Sequence, residues 1–414
     1  MSDYATTSEI VRAARATIDL RSDAIVKLCG RLVDARSINP PGDTQAVARV
    51  VVDALSQLGV KSSVVSKIES MPCVVAEIGG SRPGPHLVLN VHLDTMPAGD
   101  ETAWSFDPYR VTSLNGRLYG LGMGNMKGSV AAMVHAVSLL SQYREAWSGT
   151  VTFTAVSDEV VFGPHGAEHL LETFPQIVGD AMICGEGPGF ARLAIAEKGV
   201  LWLELGATGT PGHSSSVSKM ASATATLAAA VLRIDALNGR RASVPKDLKG
   251  LFTDSDPGFE LTANVGTLNA GTFIGQVAAG GKAEIDFRVP PGMTITAIEN
   301  DVRDLISDIP GLSVKRIKGW DPNWTAPHTE LARAWHTAED TLDWGKSTYA
   351  IRLPASDASR WRARGVPALC FGPQPGSSAG IDDYAEQSEV IRCAELYFAT
   401  SLIFLRRDPG TPAE

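Results

Sequence analysis

The sequence predicts an α/β protein whose main domain is interrupted by a smaller α+β domain. Two observations carry this. Short, nearly continuous apolar runs (His86–Asp94, Thr150–Ser157, Ala181–Gly185, Val366–Gly372) alternate with helical stretches, as buried parallel strands and their crossover helices do. The middle of the chain breaks that rhythm. There, strand-like Val200–Gly206, an Ala-rich helix Ala221–Leu237, two adjacent strand-like segments Leu261–Leu268 and Val277–Val289, a helix Thr294–Ile309 and a last strand Leu312–Lys318 follow in order. That β-α-β-β-α-β order is the ferredoxin-like arrangement. It sets an inserted domain at 199–318 and a discontinuous main α/β domain at 1–198 and 319–414.

The remaining elements are read in chain order. Residues from about 9 to 60 have helical spacing, broken by Asn39-Pro40-Pro41-Gly42. An apolar helix, Ser129–Ser141, is entered through Gly124-Asn125-Met126-Lys127-Gly128 and joins the first two apolar strands in a βαβ unit. No internal repeat is visible, and Arg406–Glu414 reads as a loose tail.

Composition narrows the function. The 414 residues are 44% hydrophobic and 20% charged, an ordinary globular balance that argues against disorder. The length predicts about two to three domains. Thirty-seven Lys and Arg against 46 Asp and Glu give a net charge of −9, which disfavours nucleic acid as the main partner. No apolar run reaches the roughly 20 residues of a membrane span, and the N-terminus has no signal-peptide core. Five scattered cysteines, with no C-x-x-C pair, form neither a disulfide framework nor a zinc ribbon, and predict a reducing, cytoplasmic location.

Chemistry-bearing residues stand at the predicted strand ends, where open α/β sheets place their sites. The first strand ends in His92-Leu93-Asp94, which is either a metal ligand oriented by a carboxylate or a His in a polar loop. The next ends in Asp158-Glu159, either an acid/base pair or an acidic helix start. Glu186 follows the third as a ligand or a loop acid, and Cys184 before it reads as a packed thiol. In the insert, His213 lies in a small-residue loop that either projects a donor or turns the chain. Arg288 either clamps a carboxylate or forms a surface ion pair. His135 reads as a core residue, and the i, i+4 pair His165 and His169 as a minor candidate for metal. Ser214–Ser216 lack a nucleophile elbow.

Taken in order, the segments resemble the dinuclear-zinc amidohydrolases that include acetylornithine deacetylase, succinyl-diaminopimelate desuccinylase and the glutamate carboxypeptidases. The resemblance runs from about residue 20 to 400. It rests on His92-x-Asp94-x-x-Pro97, the loop Gly122–Gly128, Asp158-Glu159, Glu186, the Gly-His loop at His213, Asp286-Phe287-Arg288, Ser356-Asp357-Ala358 and Phe371-Gly372-Pro373. It implies a zinc-peptidase-like catalytic domain with a central mixed sheet and an inserted lid or dimerisation domain. It further implies that His92 and Glu186 are metal ligands, that Asp94 orients His92 and that Glu159 is the general acid/base. His213 would stabilise an oxyanion and act in cis or in trans across a dimer, and Arg288 and Asn125 would bind substrate.

The chain departs from the family pattern at three of its five ligand positions. Asn125 stands where the pattern has a bridging Asp, Val160 where it has a Glu, and Ala379 where it has a C-terminal His. Val and Ala cannot ligate, and a neutral amide cannot hold two cations together. The sequence therefore implies at most one zinc or other divalent metal, or none. The leading expectation is a hydrolase of an amide or related C–N bond in a small carboxylate-bearing substrate, active as a homodimer. The alternatives are a metal-independent enzyme of acyl transfer, elimination or isomerisation that uses Glu159, and a non-catalytic ligand-binding homologue.

Overall fold

Three helices precede the first strand, and each has a local cause. In the computed structural model, which describes residues 6–219, 221–253, 255–375 and 380–406, the helix Thr7–Leu20 opens with a reciprocal Thr6/Glu9 capping box. It buries Ile10, Val11, Ala14 and Ile18, one stripe at helical spacing. Helices Ser22–Asp34 and Gln45–Gln57 repeat this design, with Ile25, Leu28, Leu32 and Val47, Val51, Leu55 turned inward. The chain between them contains Pro40 and Pro41, which cannot supply helical N–H donors.

The chain divides into two compact units. The first comprises residues 1–195, 325–350 and 356–414; the second comprises 196–324 and 351–355. The insert expected at 199–318 lies within the second unit.

The main sheet of the first unit runs Ser63–Ser66, Pro72–Gly79, Thr150–Val156, His86–His92, Ala181–Cys184, Ala368–Cys370, Arg192–Glu197. Thr150–Val156, His86–His92, Ala181–Cys184 and Ala368–Cys370 are mutually parallel neighbours, and Pro72–Gly79 pairs antiparallel, so the sheet is mixed. The parallel strands are buried almost throughout, as their unbroken apolar composition requires. Helix Gly128–Gln142 is buried from Gly128 to Leu140, and packs between strand His86–His92 and the long C-terminal helix Gln387–Leu405. It is hydrophobic all round because it is covered all round. His135 sits in that helix 3% exposed, and burial pushes its imidazole down to about 4, so it is a neutral core residue at physiological pH. All five cysteines are free and buried.

The second unit carries a four-stranded antiparallel sheet in the order Thr262–Ala270, Gly280–Val289, Gly199–Thr208, Leu312–Trp320. In chain order this is strand 2-3-1-4, with helices Ala223–Asp235 and Ile295–Leu305 as the two crossovers. The ferredoxin-like order follows from the sequence pattern. Leu201, Leu203 and Leu205 alternate inward on the central strand and meet Leu227, Ile234, Ile285, Phe287, Ile298 and Val302 in one core. Among the described residues, no helix is long and apolar enough to cross a membrane.

Glu395 gives the first unit a measurable pH dependence. It lies 4% exposed in the C-terminal helix, with Arg15 Nε 3.3 Å away. Burial outweighs that arginine and raises the carboxyl from 4.5 to about 7. Between those values the folded state holds a proton that the unfolded state has released. This group's contribution to stability is therefore full below about 4.5 and is lost as pH rises towards 7. Glu395→Gln should raise the melting temperature at pH 8 and leave it nearly unchanged at pH 4.5; melting curves at both values test this.

Candidate metal and catalytic centre

The parallel pairing brings three strand ends to one edge. His92 is paired with Val156, two residues before Asp158, and Asn90 is paired with Cys184, two residues before Glu186. His92, Glu159 and Glu186 therefore converge, 2%, 7% and 1% exposed. One ligand atom from each lies within 4.8 Å of the others, and this is the one such group among the described residues. His92 Nε2 is 3.7 Å from Glu159 Oε2 and 3.8 Å from Glu186 Oε1.

Asp94 does more than the orienting role the motif implies. His92 Nδ1 is 2.9 Å from the backbone carbonyl of Asp94 and 3.7 Å from its carboxylate. The imidazole is thus oriented by main chain. The carboxylate instead accepts the backbone N–H of Glu159 at 3.2 Å, the N–H of Val160 at 3.0 Å and the side-chain amide of Asn39 at 2.8 Å. Asp94, 1% exposed, anchors the turn that carries Glu159.

That turn is not a helix start. The strand ends at Val156, and helix begins only at Ala167. Asp158 takes a left-handed backbone, φ 62°, and its own carboxylate accepts the N–H of His165 at 3.0 Å. Gly163 makes room for this: a Cβ there would fall 1.8 Å from Asp158 Oδ2. His165 precedes the helix and His169 lies inside it, bonded to Thr173, so the two do not share one helical face.

The loop Met123–Lys127 presents Asn125, half-buried, with Oδ1 3.2 Å from His92 Nε2. Asp383 holds this loop by accepting the N–H of Gly122 at 2.9 Å and of Gly124 at 3.3 Å. Lys127 follows, 2% exposed; burial pulls its ammonium down to about 7 against the opposing pull of Asp383 and Asp34. Asp357, 3% exposed, stands just before helix Ala358–Arg362, and burial raises it to about 7 against the pull of Arg360 and His92.

Three buried carboxyls (Asp94, Glu159, Glu186) within 3.8 Å of one imidazole are costly without compensating positive charge. His92 and Glu186, one nitrogen and one carboxylate with Glu159 beside them, fit at most a single zinc or similar divalent cation.

The second unit carries the other two expected residues. His213, exposed on the short strand Gly212–His213, has Nδ1 2.8 Å from Ser215 Oγ. Arg288 points its Nε and Nη2 at Asp286, 3.0 and 2.9 Å away. Position 379 lies outside the described residues. Sequence reasoning did not single out Asn39, Asp383 or Lys127. The one available signal was that Asn39 and its two prolines interrupt an otherwise helical region.

Residues 88–402 match the model of Peptidase family M20/M25/M40. The chain, which folds into two compact units, belongs to this M20/M25/M40 peptidase family. It is 32% identical to a probable succinyl-diaminopimelate desuccinylase of Staphylococcus epidermidis over 185 residues, 44% of this chain and 45% of that one, so the match spans less than half of that relative. It is 25% identical to aminoacylase-1 of Sus scrofa over 403 residues, 94% of this chain and 97% of that one. Its fold is similar to that of an M20 family metallo-carboxypeptidase from Sulfolobus solfataricus, with TM-score 0.75 and 16% identity, covering 92% of this chain and 98% of that one.

Proposed function

We propose that this protein hydrolyses an amide or related C–N bond in a small carboxylate-bearing molecule, with Glu159 as general acid/base and at most one divalent cation. The observation that carries this is the buried convergence of Glu159 Oε2 on His92 Nε2, 3.7 Å apart, beside Glu186. Family membership supports hydrolysis. The ligand count supports a reduced centre, because Asn125, Val160 and Ala379 stand at the positions where the family pattern places a bridging Asp, a Glu and a His.

His92 and Glu186 would hold the cation, with Asn125 Oδ1 as the nearest neutral donor to His92 Nε2. A cation bound there supplies Lewis acidity towards a carbonyl oxygen or a water. The chain's own residues do the rest. Glu159 Oε2 takes a proton from the attacking water and returns it to the leaving nitrogen. Asp94 fixes Glu159 by accepting its backbone N–H, and the burial of the centre excludes competing water. Arg288 would bind the substrate carboxylate and His213 the developing oxyanion. We extend the proposal to a cytoplasmic homodimer joined through the inserted domain, whose sheet has Thr262–Ala270 and Leu312–Trp320 as its two edge strands.

One observation favours a second reading. Asn125 Oδ1 stands 3.2 Å from His92 Nε2; with Nδ1–H donating to the Asp94 carbonyl, a doubly protonated imidazole would donate Nε2–H to Asn125 Oδ1 and so occupy the nitrogen needed by a metal. On that reading Glu159 shuttles protons in a metal-independent transfer, elimination or isomerisation. A panel of N-acyl amino acids and small dipeptides, assayed before and after exhaustive chelation, separates the two. Cleavage that chelation abolishes and one equivalent of zinc restores is the result expected. Turnover that survives chelation supports the second reading, and binding without turnover rejects both.

A further inference from the structure

We infer that Asn39 is a positioning residue for Glu159, acting through the two aspartates that shape its turn. The inference rests on the reading of Glu159 as the acid/base.

Asn39 is 2% exposed in the break between two helices. Its backbone is fixed before its side chain is. Asn39 N–H donates to the carbonyl of Thr95 at 2.8 Å, and Thr95 N–H donates back to Ser37 at 2.9 Å. This staples the break to the strand end that carries His92 and Asp94. Gly42 closes the turn with φ 87°, and a Cβ there would fall 2.0 Å from Met71 Cε and 3.0 Å from Asn39 Oδ1. Gly42 thus leaves room for the Asn39 amide beside it.

In that place Nδ2 reaches two carboxylates at once, Asp94 Oδ2 at 2.8 Å and Asp158 Oδ1 at 3.3 Å. Asp94 accepts the backbone N–H groups of Glu159 and Val160, and Asp158 accepts the N–H of His165. Both ends of the turn from 158 to 165 thus hang on acids that share one amide donor. A primary amide suits this position because it is neutral and offers two N–H groups. An aspartate of the same size would offer none and would set a third carboxylate against two.

The test compares Asn39→Asp with Asn39→Ala. Amide exchange is followed by mass spectrometry on the peptide containing Glu159 and Val160, which needs no substrate. Both variants should speed exchange of that peptide at least about tenfold, while peptides of the inserted domain stay unchanged. On a C–N substrate cleaved by the wild type, kcat should fall at least about tenfold with KM within about threefold, since a small displacement of a reacting group costs rate more than binding. Asn39→Asp should be the worse of the two. If Asn39 merely fills space, the isosteric Asp would be the milder change, and that order overturns the inference. So does unchanged exchange at Glu159 and Val160. If Asn39→Ala lowers the melting temperature by more than about 10 °C, Asn39→Ser carries the comparison. Full activity of Glu159→Gln would reject the functional reading and leave the exchange result to decide the placement of the turn.

Discussion

Glu159→Gln is expected to lower kcat by about 10²–10⁴, the usual contribution of a positioned acid/base, with little change in melting temperature. The amide keeps the size of the side chain and removes its ability to take a proton. Because the backbone N–H of Glu159, not its side chain, is what Asp94 holds at 3.2 Å, the turn should survive the substitution. Rate is read with the substrate identified from the N-acyl and dipeptide panel, and structure from thermal melting. A variant that keeps full rate contradicts the assignment of Glu159. One that loses rate only in step with its melting temperature assigns it a structural role.

Asp94→Ala should have the largest effect on stability and abolish activity with it. Asp94 is 1% exposed and accepts from Glu159 N, Val160 N and Asn39 Nδ2. Removing the acceptor leaves buried donors without a partner, at about 1–3 kcal/mol each. Asn39 Nδ2 keeps Asp158 Oδ1 at 3.3 Å, so the N–H groups of Glu159 and Val160 set a total loss of at least about 2 kcal/mol, measured by denaturant unfolding of the variant against the wild type. If Asp94 served only to orient His92, Asp94→Ala would be nearly silent in stability, because His92 Nδ1 keeps its 2.9 Å contact with the backbone carbonyl of residue 94. The two roles thus separate in one experiment.

Which parts could be read from sequence follows from how each is encoded. His92, Glu159 and Glu186 stand directly after apolar strands, and a parallel sheet delivers such positions to one edge whatever the detail of its register. The inserted unit was readable for the same reason. Alternating Leu201, Leu203 and Leu205, then an Ala-rich helix, then two adjacent strands admit few packings. The short strands were not legible. Ser63–Ser66 and Arg117–Tyr119 are three or four residues long, too short to show a period. The hold of Asp94 on the Glu159 turn goes beyond what its motif implies, because a motif records which residues lie two apart and not which backbone N–H groups a carboxylate accepts. Asn39 shows in the sequence only as part of a helix break, because its meaning lies in contacts 55 and 119 residues away along the chain.

The reduced metal centre is the claim on which the rest depends. Among the described residues His92 and Glu186, with Glu159 beside them, form the one candidate metal group, and on the family resemblance Asn125, Val160 and Ala379 stand where other ligands would be. Metal content per chain, measured by plasma mass spectrometry on tag-free protein after incubation with excess zinc and removal of the unbound ion, tests this directly. The account predicts no more than one equivalent, falling to zero in His92→Ala. Two equivalents per chain, with both lost when His92 is replaced, would contradict it.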